Sequence, residues 1–201
     1  GIVGILLLTA LGLAITFGVM GIINLAHGEF IMLGAYTTFL MQELFQMDLL
    51  LTIPFAFLVT GIIGGLVELT IIRRLYGRPL ETLLATWGLS IVLRGVIKLI
   101  FTAQLKYVRA PSYMSGNLSL ITNSEGVATV SISYYRLLII GIAIALLLLT
   151  AYLLYGTSLG RQMRAVTQNR DMAKCLGINT NLVDMATFAY GCGLAGVAGT
   201  V

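Results

Sequence analysis

Polar side chains lie between two apolar runs with almost no room for a loop, in the stretch Asn24-Leu25-Ala26-His27-Gly28-Glu29. A lone histidine does not make a metal site, because zinc takes several protein ligands. Two interpretations remain open. The stretch is either a hydrogen-bonded interfacial turn that contacts no ligand, or an unwound segment between broken helices whose freed groups line a wet cavity.

A second set of polar residues recurs at every fourth position, and so returns to one face of a helix while drifting slowly around it. It consists of Thr82, Thr86, Ser90, Arg94 and Lys98, with Trp87 alongside. Such a stripe either lines a route for a small polar solute, or its hydroxyls bond neighbouring helices while Arg94 and Lys98 snorkel outward. The candidate residues for a solute route are Asn24, His27, Glu29, Thr86, Trp87 and Ser90.

The stretch at residues 160–184 is longer and more organised than a simple connection requires. Asn169 is a helix N-cap, Asp171 falls in the positive first turn, and Gly177 ends the run, which predicts a short helix over residues 170–176. Small or apolar side chains project from it at Met172, Ala173 and Leu176. They suit insertion into a groove on another protein; the alternative is an ordinary basic loop with an interfacial helix.

Small residues recur with a spacing of four near the end of the sequence, at Gly191, Ala195 and Gly199. This pattern permits very close approach of helix backbones. We interpret it as helix packing rather than ligand contact.

The elements that position these residues follow from the composition. Of 201 residues, 58% are hydrophobic and only 10% are charged, and the mean hydropathy is +0.98, which excludes a soluble globule. Three prolines and long aliphatic runs favour helices over a β-barrel. The cations lie in short loops, as a membrane topology signal requires, so nucleic-acid binding is excluded. Cys175 and Cys192 lie on segments of opposite character and predict no disulfide or metal framework.

Apolar runs at about 1–23, 28–47, 53–72, 82–101 and 137–155, and a sixth from about 184, predict an all-α, polytopic helical bundle in one transmembrane domain spanning residues 1–201. Most lysines and arginines fall in the 73–81 and 156–183 loops, which are therefore expected to be cytoplasmic. Loop 102–136 is then external, with a hairpin predicted from residues 118–122 and 127–133. The chain ends inside an apolar run, so we expect it to be truncated at both ends.

Two stretches resemble the LivH-type permeases of ABC importers, the branched-chain amino acid and amide group. They are residues 18–36 (GVMGIINLAHGEFIMLGAY) and 164–178 (RAVTQNRDMAKCLGI). Residues 76–90 (YGRPLETLLATWGLS) and 111–116 (PSYMSG) look most like the urea permease branch of that family, the UrtB type. Lys174 and Tyr113 depart from the pattern.

The resemblance implies a bacterial inner-membrane subunit that binds no cofactor itself and has no catalytic residue. It would pair with a second permease, two cytoplasmic ATPases that hold ATP and Mg, and an external solute-binding protein. The sequence has no Gly-x-x-x-x-Gly-Lys phosphate loop, so ATP would be hydrolysed elsewhere. The expected ATPase-coupling residues are Arg164, Gln168, Asn169, Met172, Ala173, Leu176, Gly177 and Ile178.

Urea or a short amide is the expected solute, because a zwitterion needs two charged anchoring groups and few charges fall near the middle of the predicted spans. A branched-chain amino acid importer is the alternative. A passive urea channel would need no organised cytoplasmic helix, so the stretch at residues 160–184 argues against it. An intramembrane enzyme is also disfavoured, because the sequence shows no paired nucleophile and base at a recognisable spacing.

Overall fold

The computed structural model describes residues 2–101, 117–122 and 128–201. Within these ranges the chain forms α-helices, one short 3-10 helix at Ile72–Leu75 and one hairpin of two strands. In chain order the helices and strands are α1 Ile2–Met20, α2 His27–Phe45, α3 Leu49–Thr70, α4 Pro79–Phe101, β1 Asn117–Thr122, β2 Ala128–Ser133, α5 Tyr134–Gly156, α6 Ser158–Gln168, α7 Arg170–Cys175 and α8 Thr180–Thr200.

Five helices among the described residues are long and apolar enough to cross a membrane, namely α1, α3, α4, α5 and α8. This confirms the predicted polytopic helical bundle. The remaining predicted segment forms α2, which carries acidic residues at Glu29 and Glu43 and falls outside that group.

Helix α8 is the centre of the bundle and packs against α1, α2 and α3. Two thirds of its most apolar stretch is buried, against 17% for α4 and α5. Helix α8 occupies this position because small residues line it, and small residues let other helix backbones approach closely.

Contacts at the two ends of the bundle assign each loop to a side. At one end, Arg73 Nη2 donates to the carbonyl of Asn181, and Thr167 Oγ1 donates to the carbonyl of Val19. At the other end, the Tyr135 hydroxyl donates to the carbonyl of Val201. The two cation-rich loops therefore lie together, at what we call the cation-rich end, and α1 also ends there.

Strands β1 and β2 pair antiparallel, in agreement with the predicted hairpin. Pro111, Tyr113 and residues 123–127 lie outside the described residues. Helix α6 was not predicted. Its Thr157 cap accepts a hydrogen bond from Gly160 N (3.2 Å), and Met163 and Val166 turn inward.

Candidate functional site

The chain leaves helical geometry over residues 21–26, which we call the helix break. The break starts at Gly21, whose φ of 66° is left-handed and favours glycine. At its other end, the His27 ring nitrogen Nε2 lies 3.1 Å from the carbonyl of Thr9, and the Phe30 ring meets Phe188 edge-on at 6.2 Å. Thr9 and Phe188 are near the middle of α1 and α8, so α2 begins inside the bundle. The geometry agrees with the unwound segment of the two interpretations; that its freed groups line a wet cavity stays a prediction.

Two side chains hold the helix break in place. Asn24 Oδ1 accepts a hydrogen bond from Ala26 N at 3.0 Å, and Thr86 Oγ1 of α4 accepts one from Leu25 N at 3.2 Å. A backbone donor freed by the loss of helix is thus satisfied by a hydroxyl of a neighbouring helix, as an apolar environment requires.

A buried carboxylate, Glu29, lies two residues beyond the start of α2. Glu29 Oε1 accepts from Ser90 Oγ at 2.9 Å and from Arg94 Nε at 2.8 Å, and Arg94 Nη2 also donates to Ser90 Oγ at 2.8 Å. Glu29 and Ser90 are buried, whereas the Arg94 side chain is 57% exposed. The outward snorkelling of Arg94, one of the two alternatives for the polar stripe, does not describe its guanidinium, which turns toward α2 and compensates a carboxylate that is costly to bury alone.

Two polar atoms at the helix break and at the start of α2 have no hydrogen-bond partner within the described part of the chain. They are Asn24 Nδ2 and His27 Nδ1, on side chains that are 3% and 6% exposed. Backbone N–H groups in the first turn of α2 donate to carbonyls of the helix break, as from Glu29 N to the carbonyl of Ala26 at 3.0 Å, and the positive end of the helix dipole lies at the same place. The carboxylate and the guanidinium therefore lie between α2 and α4, whereas the His27 ring lies between α2 and α1.

The structure brings together most of the predicted solute-route residues, with one exception. Asn24, His27, Glu29, Thr86 and Ser90 surround the helix break or the first turn of α2. Trp87 does not join them, because its side chain is 56% exposed on the outer surface of α4.

Helix α7 begins and ends as its sequence predicts. Asn169 Oδ1 accepts from Met172 N at 3.0 Å, and Gly177 closes the helix with a left-handed φ of 80°. Met172 and Leu176 are 58% and 74% exposed. The prediction that Ala173 projects toward a partner is wrong. Its side chain is 2% exposed and packs into the chain's own core.

The remaining residues of the predicted coupling segment lie on α6 and beside α7. Arg164 donates to the carbonyl of Leu154, and its guanidinium lies 5.4 Å from the centre of the Tyr155 ring. Gln168 is exposed at the end of α6, and the amide of Ile178 donates to the carbonyl of Ala173 at 3.0 Å.

Small residues bring α8 close to its neighbours. A Cβ on Gly191 would lie 2.5 Å from Thr16 Cγ2, a Cβ on Gly199 would collide with the carbonyl of Ile31, and Ala195 is fully buried. Gly34 is the opposing small residue on α2, and its own Cβ would collide with the backbone of Gly196.

The chain was also compared with known proteins. A family model described as "Branched-chain amino acid transport system / permease component" matches residues 1–201. The permease protein BraD of the high-affinity branched-chain amino acid transport system of Pseudomonas aeruginosa is 31% identical over 95% of this chain and 64% of its own length. LivH of Salmonella typhimurium is 30% identical over 96% of the chain and 65% of its own length. A probable LivH of Methanocaldococcus jannaschii is 29% identical over 97% of the chain and 61% of its own length.

The chain thus spans slightly less than two thirds of the length of these relatives. No solved structure matches it.

Proposed function

Because the chain belongs to the family of branched-chain amino acid transport permease components, we propose that it is the membrane subunit of an ATP-driven importer of branched-chain amino acids. The chain is a multi-pass plasma-membrane protein and a transport subunit rather than an enzyme. In this proposal it forms the solute route and transmits the effect of ATP hydrolysis carried out by other chains.

The observation that carries the proposal is the pairing of Glu29 with Arg94 beside Ser90, near the middle of α4. A zwitterion is recognised by one anionic and one cationic group, and both are present here. The α-ammonium would exchange for Arg94 at the Glu29 carboxylate, while the carboxylate of the solute would take the guanidinium near the positive end of the α2 dipole. The argument for an amide from a scarcity of charges near the middle of the spans is weakened, because Glu29 and Arg94 pair there.

Urea or a short amide is the second candidate. The observation in its favour is the buried donor Asn24 Nδ2, which has no hydrogen-bond partner among the described residues. A neutral amide needs donors and acceptors such as Asn24, Thr86 and Ser90, and it would leave the Glu29–Arg94 pair intact. The two candidates therefore differ in whether the ion pair must open.

The proposed complex contains a second permease, two cytoplasmic ATPases and an external solute-binding protein, with ATP and Mg bound by the ATPases. Met172 and Leu176 are the exposed apolar side chains that we assign to the ATPase contact. Transport would proceed as one helix group rocks against another between two states that ATP binding and hydrolysis bias.

The test is uptake by the full-length permease reconstituted with its partner chains in proteoliposomes. We expect ATP-dependent accumulation of labelled leucine that excess isoleucine or valine abolishes and excess urea leaves unchanged. Accumulation of labelled urea without leucine would replace the main proposal with the second candidate. Equilibration of either solute without ATP would contradict both.

A further inference from the structure

Two carboxylates are completely buried at the cation-rich end of the bundle, Glu68 near the end of α3 and Asp184 near the start of α8. Glu68 Oε2 accepts from Arg73 Nη2 at 3.2 Å. Asp184 is paired with Arg170, the first residue of α7. Each buried charge therefore has a cation supplied by a different segment of the chain.

Tyr76 joins the two ion pairs. Its hydroxyl donates to Glu68 Oε1 at 3.0 Å, and its ring lies under the Arg170 guanidinium, 4.3 Å from Cζ to the ring centre. Burial, followed by the charges of Asp184 and Glu68, raises the pKa of the Tyr76 phenol well above its ordinary value. Tyr76 therefore stays protonated and remains a hydrogen-bond donor at physiological pH.

The connected set ties α7 to the interior of the bundle. Arg170 begins α7, and Asp184 is one helical turn from Phe188, whose ring contacts Phe30 next to the helix break. A movement of α7 that carries Arg170 must therefore either move α8 and Tyr76 with it or separate a buried ion pair, and the separation is strongly unfavourable.

We propose that Glu68, Arg73, Tyr76, Arg170 and Asp184 form a transmission link that passes movement of α7 to α3 and α8, and through α8 to the helix break. The inference rests on the proposed function, because it requires that α7 be moved by a partner ATPase. These five are positioning residues, and none of them is assigned a contact with the solute.

A purely structural role would change the amount or stability of the complex but not how tightly transport follows ATP hydrolysis. The informative measurement is therefore the coupling ratio, the amount of leucine imported per ATP hydrolysed by the full-length complex in proteoliposomes. The main variant combines Arg170→Gln with Asp184→Asn, which removes both charges together and leaves two groups able to hydrogen-bond. The matched control combines Arg78→Gln with Glu81→Gln, an exposed pair at the same end (3.2 Å).

We expect the main variant to assemble and bind its ATPases, with a coupling ratio about threefold to tenfold below wild type. The control should keep the wild-type ratio. Arg170→Lys is a second test, since it retains the charge beside Asp184 but loses the planar stacking on Tyr76. We expect its ratio to fall about twofold.

The link is overturned if the double variant and Arg170→Lys both keep the wild-type coupling ratio, even if less complex assembles. The proposed function would still stand in that case. If instead wild-type complex shows no ATP-driven leucine uptake, the proposed function fails and the inference fails with it. If the double variant does not assemble, the coupling ratio of Arg170→Lys decides whether the link exists: a wild-type ratio overturns it.

Discussion

At the scale of single residues, the Glu29 carboxylate is the most consequential group in the bundle. It is buried beside Ser90 and Arg94, where a charge is tolerated only because hydrogen bonds and a guanidinium compensate it. Its environment therefore favours a role in recognising or passing a polar solute over a role in packing.

Glu29→Gln removes the charge and keeps the shape and most of the hydrogen bonding. We expect uptake to fall about tenfold, equivalent to about 1.4 kcal/mol, with little loss of assembled complex. Glu43→Gln is the control, since Glu43 is exposed on the same helix. Uptake by Glu29→Gln at the wild-type rate would show that the carboxylate is structural.

Arg94→Gln leaves the Glu29 carboxylate without its cation. We expect a loss of about 1–2 kcal/mol in the free energy of unfolding, below the range for fully buried pairs because Arg94 is more than half exposed. The double variant with Glu29→Gln should recover most of that loss. Thermal or denaturant unfolding of the purified proteins measures these changes in the free energy of unfolding. Lys98→Gln is the control, since Lys98 is exposed. If the effects of Arg94→Gln and Glu29→Gln simply add in the double variant, the pairing is contradicted.

At the scale of elements, the contact between α2 and α8 decides where the helix break lies. Gly34 and Gly196 meet backbone to backbone, and this close approach seats α2 against the centre of the bundle. A side chain at this contact would separate the two helices.

Gly34→Ala is therefore expected to destabilise the protein by about 1–3 kcal/mol, because its Cβ overlaps the Gly196 backbone. Gly88→Ala is the matched control, since a Cβ at Gly88 meets no atom of the described chain within 4 Å and alanine favours a helix by about 1 kcal/mol. The midpoint of thermal unfolding in detergent distinguishes them. Equal midpoints would mean that α2 does not seat as described.

Gly177 ends α7 in a left-handed conformation, and a Cβ there has open space around it, so backbone strain is the main effect of substitution. We expect Gly177→Val to lower transport and solute-stimulated ATP hydrolysis together by about tenfold while the permease still inserts, because Ile178 is displaced. Gly177→Asn should be milder, since asparagine tolerates this conformation. Normal solute-driven ATP turnover by Gly177→Val would remove the coupling role of α7.

At the scale of the whole molecule, the charge distribution and the helix packing agree on the topology. The loops rich in arginine lie together at one end, where α1 also ends and α8 begins. We assign that end to the cytoplasm by the excess of positive charge.

The two cysteines test this assignment, because Cys175 is exposed on α7 and Cys192 is fully buried on α8. A membrane-impermeant thiol reagent should label the protein in inverted vesicles but not in right-side-out vesicles, and Cys175→Ser should abolish the labelling. Bound ATPase subunits should protect Cys175. Labelling of Cys175 from the external face would reverse the topology.

Local patterns in the sequence determined the membrane class, the approximate helices, the hairpin and both ends of α7. These features depend on apolar length and on capping groups within a few residues, as at Asn169 and Gly177. Helix α6 is strongly amphipathic, with Met163 and Val166 on its buried face, so its pattern is present in the sequence, but its low mean hydropathy placed it in the basic loop at 156–183.

Only the tertiary structure decided where polar side chains go. Arg94 and Glu29 are 65 positions apart, and a long side chain on a helix surface is equally able to snorkel or to turn inward until a neighbouring helix supplies a carboxylate. Tyr76 and Arg170 are likewise far apart in the sequence and meet only in the folded chain. The start of α2 at mid-bundle depends on the small residues of α8, which let the neighbouring helix backbones approach closely. Long-range pairing of this kind depends on which backbones approach closely, and no local pattern encodes it.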